Sequence, residues 1–350
     1  MPLFFQSVFE WKIRVWGIYA FSALLFYFWR GYFLYPLSDF PALFALLMAL
    51  GILAATLKKQ IGLGAIVLVG VFASAAMNIR PAYQLSFLVI MLMMFIGFRK
   101  DGIKQLITRF TLFLVGCGFI LWPQVLINQR YFGSNSPLVL ATYVDETDIY
   151  AVQLFWGLKT QKVLTNIGDN YPYALVAYND PLSGKIPRTG RLEKNLQNYF
   201  DIIKRIPADV AVSYFRHAFN GIDPFFPTPY VKNIFAPHTI FSSFNYLIWF
   251  VLFYYLVASN WAGLDTLRVS GIMGLMLPVL LAIPTVIEVR FFLPIYILAY
   301  AVVSYRFPYQ EYFSLARSHR WRLVQFVVFC FVWLLLCFTL SAATIEQLVS

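Results

Sequence analysis

Cysteine, charge and histidine are all scarce in this 350-residue chain, and each scarcity closes off a class of function. Cys117, Cys330 and Cys337 all fall inside apolar segments, so they supply packing and no disulfide framework or thiolate metal site. His217 and His238 each stand without a second metal-type ligand at a useful spacing, which argues against zinc. Charged residues are only 12% of the chain while hydrophobic ones reach 60%, more apolar surface than a soluble domain of this length can hide. There is no phosphate-binding glycine loop, no dinucleotide-binding glycine pattern and no Ser/His/Asp arrangement. The chain also has no internal repeat.

What remains is apolar, aromatic and basic at its edges. The 36 Phe and 22 Tyr suit helices walled by lipid and bordered by interfacial rings. A net charge of +11 would suit nucleic acid, but the basic residues fall in short clusters between apolar runs and form no stripe. Lys12 and Arg14 precede an apolar run with no small-residue cleavage site after it, so that run is expected to stay as an anchor.

A helix of about 20 apolar residues crosses the hydrocarbon core. That ruler predicts an all-α polytopic membrane protein with nine spans, at 15–35, 39–57, 61–78, 82–98, 106–127, 239–259, 269–286, 288–305 and 322–343. If the spans alternate, Lys12/Arg14, Lys58/Lys59, Arg99/Lys100/Lys104, Arg268 and Arg306/Arg317/Arg320/Arg322 share one side. The short connections on the other side hold only Arg30, Arg80 and Arg290. The basic side is therefore read as cytoplasmic, with the N-terminus inside and the C-terminus outside. The chain divides into N-terminal membrane helices (1–128), an extracytoplasmic loop region (129–237) and C-terminal membrane helices (238–350). Within the loop region, 191–204 and 208–220 carry apolar residues at helical spacing and read as amphipathic helices able to roof a site.

Asp39, Arg80, Glu288 and Arg290 each end a long apolar run, and the alternating topology puts all four on the outer side. Asp39, in Tyr35-Pro-Leu-Ser-Asp39-Phe, suits both a helix cap, shared with Ser38, and a carboxylate facing a polar cavity. Arg80, in Asn78-Ile-Arg80-Pro81, is an interfacial anchor or a phosphate ligand, a role its planar fork serves better than lysine. Glu288 and Arg290, in Ile287-Glu-Val-Arg-Phe-Phe-Leu-Pro294, are two apart, and residues i and i+2 do not face each other on a helix, so different partners are expected. Tyr35 and His217 complete the candidate substrate contacts. Asp145-Glu-Thr-Asp148 is read first as a solvated acidic turn, which leaves a divalent cation such as Mg or Mn open as a cofactor.

These residues, with Leu121-Trp-Pro123-Gln-Val-Leu-Ile-Asn128-Gln-Arg-Tyr-Phe-Gly133, resemble the GT-C membrane glycosyltransferases. The similarity is to the branch of protein O-mannosyltransferases and lipid A aminoarabinose transferases, and it runs from about residue 15 to 306. The resemblance implies a polyprenyl-phosphate sugar donor, a lipid, glycan or protein acceptor, and transfer on the extracytoplasmic face. It implies that Asp39 is the active-site carboxylate, that Arg80 meets the donor phosphate, and more loosely that Arg290 does so too. Only Met1 to Arg14 precede what looks like the family's third helix, so the chain is expected to lack the family's N-terminal helices and first outer loop. An O-antigen polymerase or ligase, with a pyrophosphate-linked donor, fits the same layout. A transporter or flippase and an inactive partner subunit stay open, although no ionisable residue sits near the middle of any predicted span.

Overall fold

A computed structural model describes residues 1–140, 149–169, 171–186, 196–258, 265–307, 309 and 320–348. The described chain is mostly helical. Proline at its first position opens α1 (Pro2–Phe9), whose buried phenylalanines pack under α3. Then follow α2 (Val15–Trp29), α3 (Asp39–Leu57), α4 (Ala65–Ile79), α5 (Gln84–Phe98) and α6 (Ile103–Phe132). The C-terminal membrane helices are α10 (Thr239–Ala258), α11 (Thr266–Ala282), α12 (Leu293–Ala301) and α13 (Arg320–Ile345).

Among the described residues, six helical segments are long and apolar enough to cross a membrane: Asp39–Leu57, Pro81–Asp101, Ile103–Phe132, Thr239–Val257, Val289–Arg306 and Leu323–Ile345. The other three predicted spans are apolar helices but shorter, Val15–Trp29, Ala65–Ile79 and Thr266–Ala282. The expectation at 15–35 overran because the chain turns after Trp29, and Tyr32 and Tyr35 lie in that turn region. At 15–17 residues these helices are about 22–26 Å long at 1.5 Å per residue, under the ~30 Å of hydrocarbon.

Small residues let the N-terminal helices approach closely. A β-carbon on Gly70 would lie 2.1 Å from the Phe113 carbonyl oxygen, and one on Gly116 would lie 2.0 Å from that of Val67. The α4–α6 crossing is thus a backbone-to-backbone contact of the kind membrane helices use in place of a hydrophobic driving force. Ser86 on α5 donates to the Gly274 carbonyl at 2.7 Å and ties α5 to α11.

The region between the two membrane halves is folded, and it is not wholly helical. A third helix, α7 (Ile149–Lys159), runs straight into β1 (Thr160–Asn166). β1 pairs antiparallel with β2 (Leu175–Asn179) and parallel with β3 (Tyr230–Val231), giving the order β2-β1-β3. This sheet corrects the all-α expectation. The two expected amphipathic helices are present as α8 (Leu196–Arg205) and α9 (Pro207–Gly221). The predicted residues 191–195 lie outside the described residues. The sheet is seated on the membrane part directly: the Val163 amide donates to the Ile287 carbonyl at 3.0 Å, next to Glu288. On the far edge, the Asn179 amide donates to the Gln347 carbonyl at 2.9 Å, so the end of the chain returns to the same sheet.

Candidate functional site

Three separate elements bring charged groups to one spot. Asp39 opens α3, and Ser38 before it makes no side-chain cap bond. Arg80 follows α4 in extended backbone (φ −140°, ψ 112°), forced there by Pro81, and its guanidinium donates to Asp39 Oδ1. Arg290 Nε lies 4.0 Å from the other carboxylate oxygen, Oδ2. Asp39 is therefore bracketed by two arginines from different helices. Its side chain is 5% exposed, against 21% and 24% for Arg80 and Arg290.

Glu288 corrects the expectation of separate partners. Arg290 holds it at 2.7 Å (Nε to Oε2) and 2.9 Å (a terminal nitrogen to Oε1). The helical spacing rule does not apply because Glu288 is extended (φ −119°, ψ 138°) and precedes a tight turn of 3₁₀ helix, Val289–Phe292. Two carboxylates and two guanidiniums form a cluster with no net charge.

Aromatic rings wall this cluster. The Arg80 guanidinium carbon is 4.9 Å and that of Arg290 5.7 Å from the Phe291 ring centre, so both cations face one ring. Burial, and next the Glu288 carboxylate, push the Tyr32 phenol above its usual range and keep it neutral. Tyr35 packs on Tyr230 of β3 with ring centres 4.3 Å apart, which carries the sheet over the turn after α2. That approach is tight: a β-carbon on Gly31 would lie 2.4 Å from the Pro227 carbonyl oxygen.

His217 lies apart from this cluster. It is fully buried on α9, with Nδ1 2.6 Å from the Ile283 carbonyl oxygen at the end of α11. Burial lowers its pKa, so the ring is neutral, and the contact ties α9 to the membrane helices. Among the described residues no group of three or more His, Cys, Asp or Glu is placed to hold a metal ion. Asp145, Glu146 and Asp148 lie outside the described residues.

No family model matches the chain, and no curated protein or solved structure matches it either. The case for function therefore rests on the residues themselves.

One polar group escaped the sequence reading. Lys162 of β1 and Asp223, just past α9, are both fully buried, with Lys162 Nζ 3.9 Å from Asp223 Oδ2. Lys162 also donates to the Asp223 carbonyl and sits 3.3 Å above the centre of the Phe225 ring. Tyr246 of α10 donates to Asp223 Oδ1 at 2.6 Å. Burial lowers Lys162 to about 8 and raises Asp223 above its usual range, each towards its neutral form. The group is sealed in protein and locks the sheet to α10. A lone lysine in a polar stretch gives no sequence signal for this.

Proposed function

We propose that the chain is a membrane glycosyltransferase of the GT-C type that moves a sugar from a polyprenyl-phosphate donor to an acceptor hydroxyl. The observation that carries this reading is the bracketing of one buried carboxylate, Asp39, by two arginines at the ends of apolar helices. An anionic lipid headgroup arriving from the bilayer can exchange for Asp39 on these two arginines. The transfer side is taken as extracytoplasmic, from the excess of Lys and Arg at the opposite helix ends.

The neutral cluster sets the order of events. A donor phosphate takes over the guanidinium of Arg80, which releases Asp39 from its ion pair. The acceptor oxygen then attacks the sugar's anomeric carbon, its proton passes to Asp39, and the bond from that carbon to the phosphate oxygen breaks. The leaving polyprenyl phosphate gains one negative charge, which Arg80 and Arg290 stabilise. Tyr35 and Phe291, both partly exposed, supply a wall beside the cluster on which a sugar ring can pack.

The test uses the purified chain in proteoliposomes with a polyprenyl-monophosphate sugar and, in parallel, a pyrophosphate-linked oligosaccharide. Transfer from the monophosphate donor is expected, with a loss of roughly 10²–10⁴ in rate for Asp39→Asn at unchanged membrane insertion. Full activity of that variant would remove Asp39 from the mechanism. Transfer from the pyrophosphate donor alone would favour a polymerase or ligase.

A further inference from the structure

A second site lies at the other end of the same helices. The segment Val289–Arg306 carries Arg290 at its start and Arg306 at its finish, and α3 likewise begins at Asp39 and is followed by Lys58. Lys58 and Arg268 both pair with Glu10 at 2.8 Å, so these cations gather on the face opposite the Asp39 cluster. A cavity of about 990 Å³ opens there. Its polar end is Glu10, Lys12, Arg268 and Arg306; Arg268 also lies 4.0 Å from Asp265, and the Arg306 Nε donates to the Tyr255 hydroxyl at 3.2 Å.

From that mouth the cavity is apolar. Its lining includes Val302, Leu298, Ile295 and Phe292 along α12 and its flanking turns and Trp333, Leu336 and Leu340 of α13, together with residues of α10 and α11. From Arg306 back to Phe292 is roughly 21 Å of helix, more than half of the ~30 Å hydrocarbon core. Phe215 and Phe219 of α9 also line the cavity. The last apolar segment, Leu323–Ile345, has only 6% of its most apolar window buried, and its buried Cys337 is among the residues that line the cavity.

We propose that this cavity binds one anionic phospholipid, its phosphate among Lys12, Arg268 and Arg306 and its acyl chains between α12 and α13. The cationic mouth selects a negative headgroup, and the long apolar slot takes the tails. The lipid completes the packing of the last helix, and it does so whether or not the Asp39 cluster transfers sugar.

The test compares delipidated protein in neutral detergent after addition of phosphatidylglycerol, phosphatidylcholine of the same chains, or sodium phosphate. Apparent Tm and native mass spectrometry are the readouts. Phosphatidylglycerol is expected to raise Tm and to be retained as a single copy, while the other two do neither. Losing two cations, in Lys12→Gln/Arg306→Gln, should weaken phosphatidylglycerol binding about 30-fold, at roughly tenfold or less per charge. Leu298→Trp fills the slot without touching a charge and should also abolish retention. Equal stabilisation by phosphatidylcholine, an equal effect of phosphate alone, or wild-type affinity in both variants would overturn the proposal.

Discussion

Replacing Lys162 by Met removes the cation from a pair that is fully buried on both sides. Taking one partner from such a pair leaves the other charge stranded and costs about 3–5 kcal/mol. The lost contact with the Phe225 ring, at 3.3 Å, acts in the same direction. At a few degrees per kcal/mol, that is a fall of roughly 5–10 °C in apparent Tm. In Lys162→Met/Asp223→Asn no charge is stranded, and most of the loss should return, to within about 1–2 kcal/mol of wild type. The pH dependence gives an independent readout. Lys162 releases its proton near 8 when folded and near 10.5 when unfolded, so the unfolded chain binds more protons between those values. Stability therefore rises with pH across that window, and the gain is absent below 8. Thermal unfolding of detergent-solubilised protein from pH 7 to 10 should show the rise in wild type and a flatter profile in Lys162→Met. A neutral Lys162→Met with an unchanged profile would refute the idea that this pair carries charge and locks the sheet to α10.

Glu288→Gln leaves Arg290 with one fewer carboxylate and makes the cluster net positive, so donor KM should fall several-fold in steady-state assays while kcat changes little. Arg290→Lys keeps the charge but loses the planar fork, and donor KM should rise about tenfold. Gly116→Leu forces a side chain where a β-carbon already comes within 2.0 Å of the Val67 carbonyl oxygen; it should prevent recovery of folded protein by size exclusion, whereas Gly118→Leu, with open space at its β-carbon, should not.

What could be read from the sequence followed from how abruptly each residue breaks its surroundings. Asp39, Arg80 and Arg290 interrupt long apolar runs at their ends, so their position at helix ends was legible without coordinates. Their mutual distances were not, because those depend on how α3, α4 and the segment after Thr285 cross. The pairing of Glu288 with Arg290 was hidden by an assumption of helix where the backbone is extended. The sheet was missed because β1 is a mixed polar stretch, Thr-Gln-Lys-Val-Leu-Thr-Asn, whose first four residues are buried on both faces with no clean alternation. The apolar runs marked helices correctly at all nine places, but turn residues trimmed three of them below the length of a membrane crossing.

In the proposed mechanism Arg80 and Arg290 together grip a lipid phosphate beside Asp39. That grip is read by the Kd of polyprenyl monophosphate, without sugar, for wild-type protein and for Arg80→Ala/Arg290→Ala. Each lost charge-assisted contact is worth about 1.5–3 kcal/mol, so the double variant should bind at least 100-fold more weakly. A Kd unchanged by removal of both arginines would contradict the account.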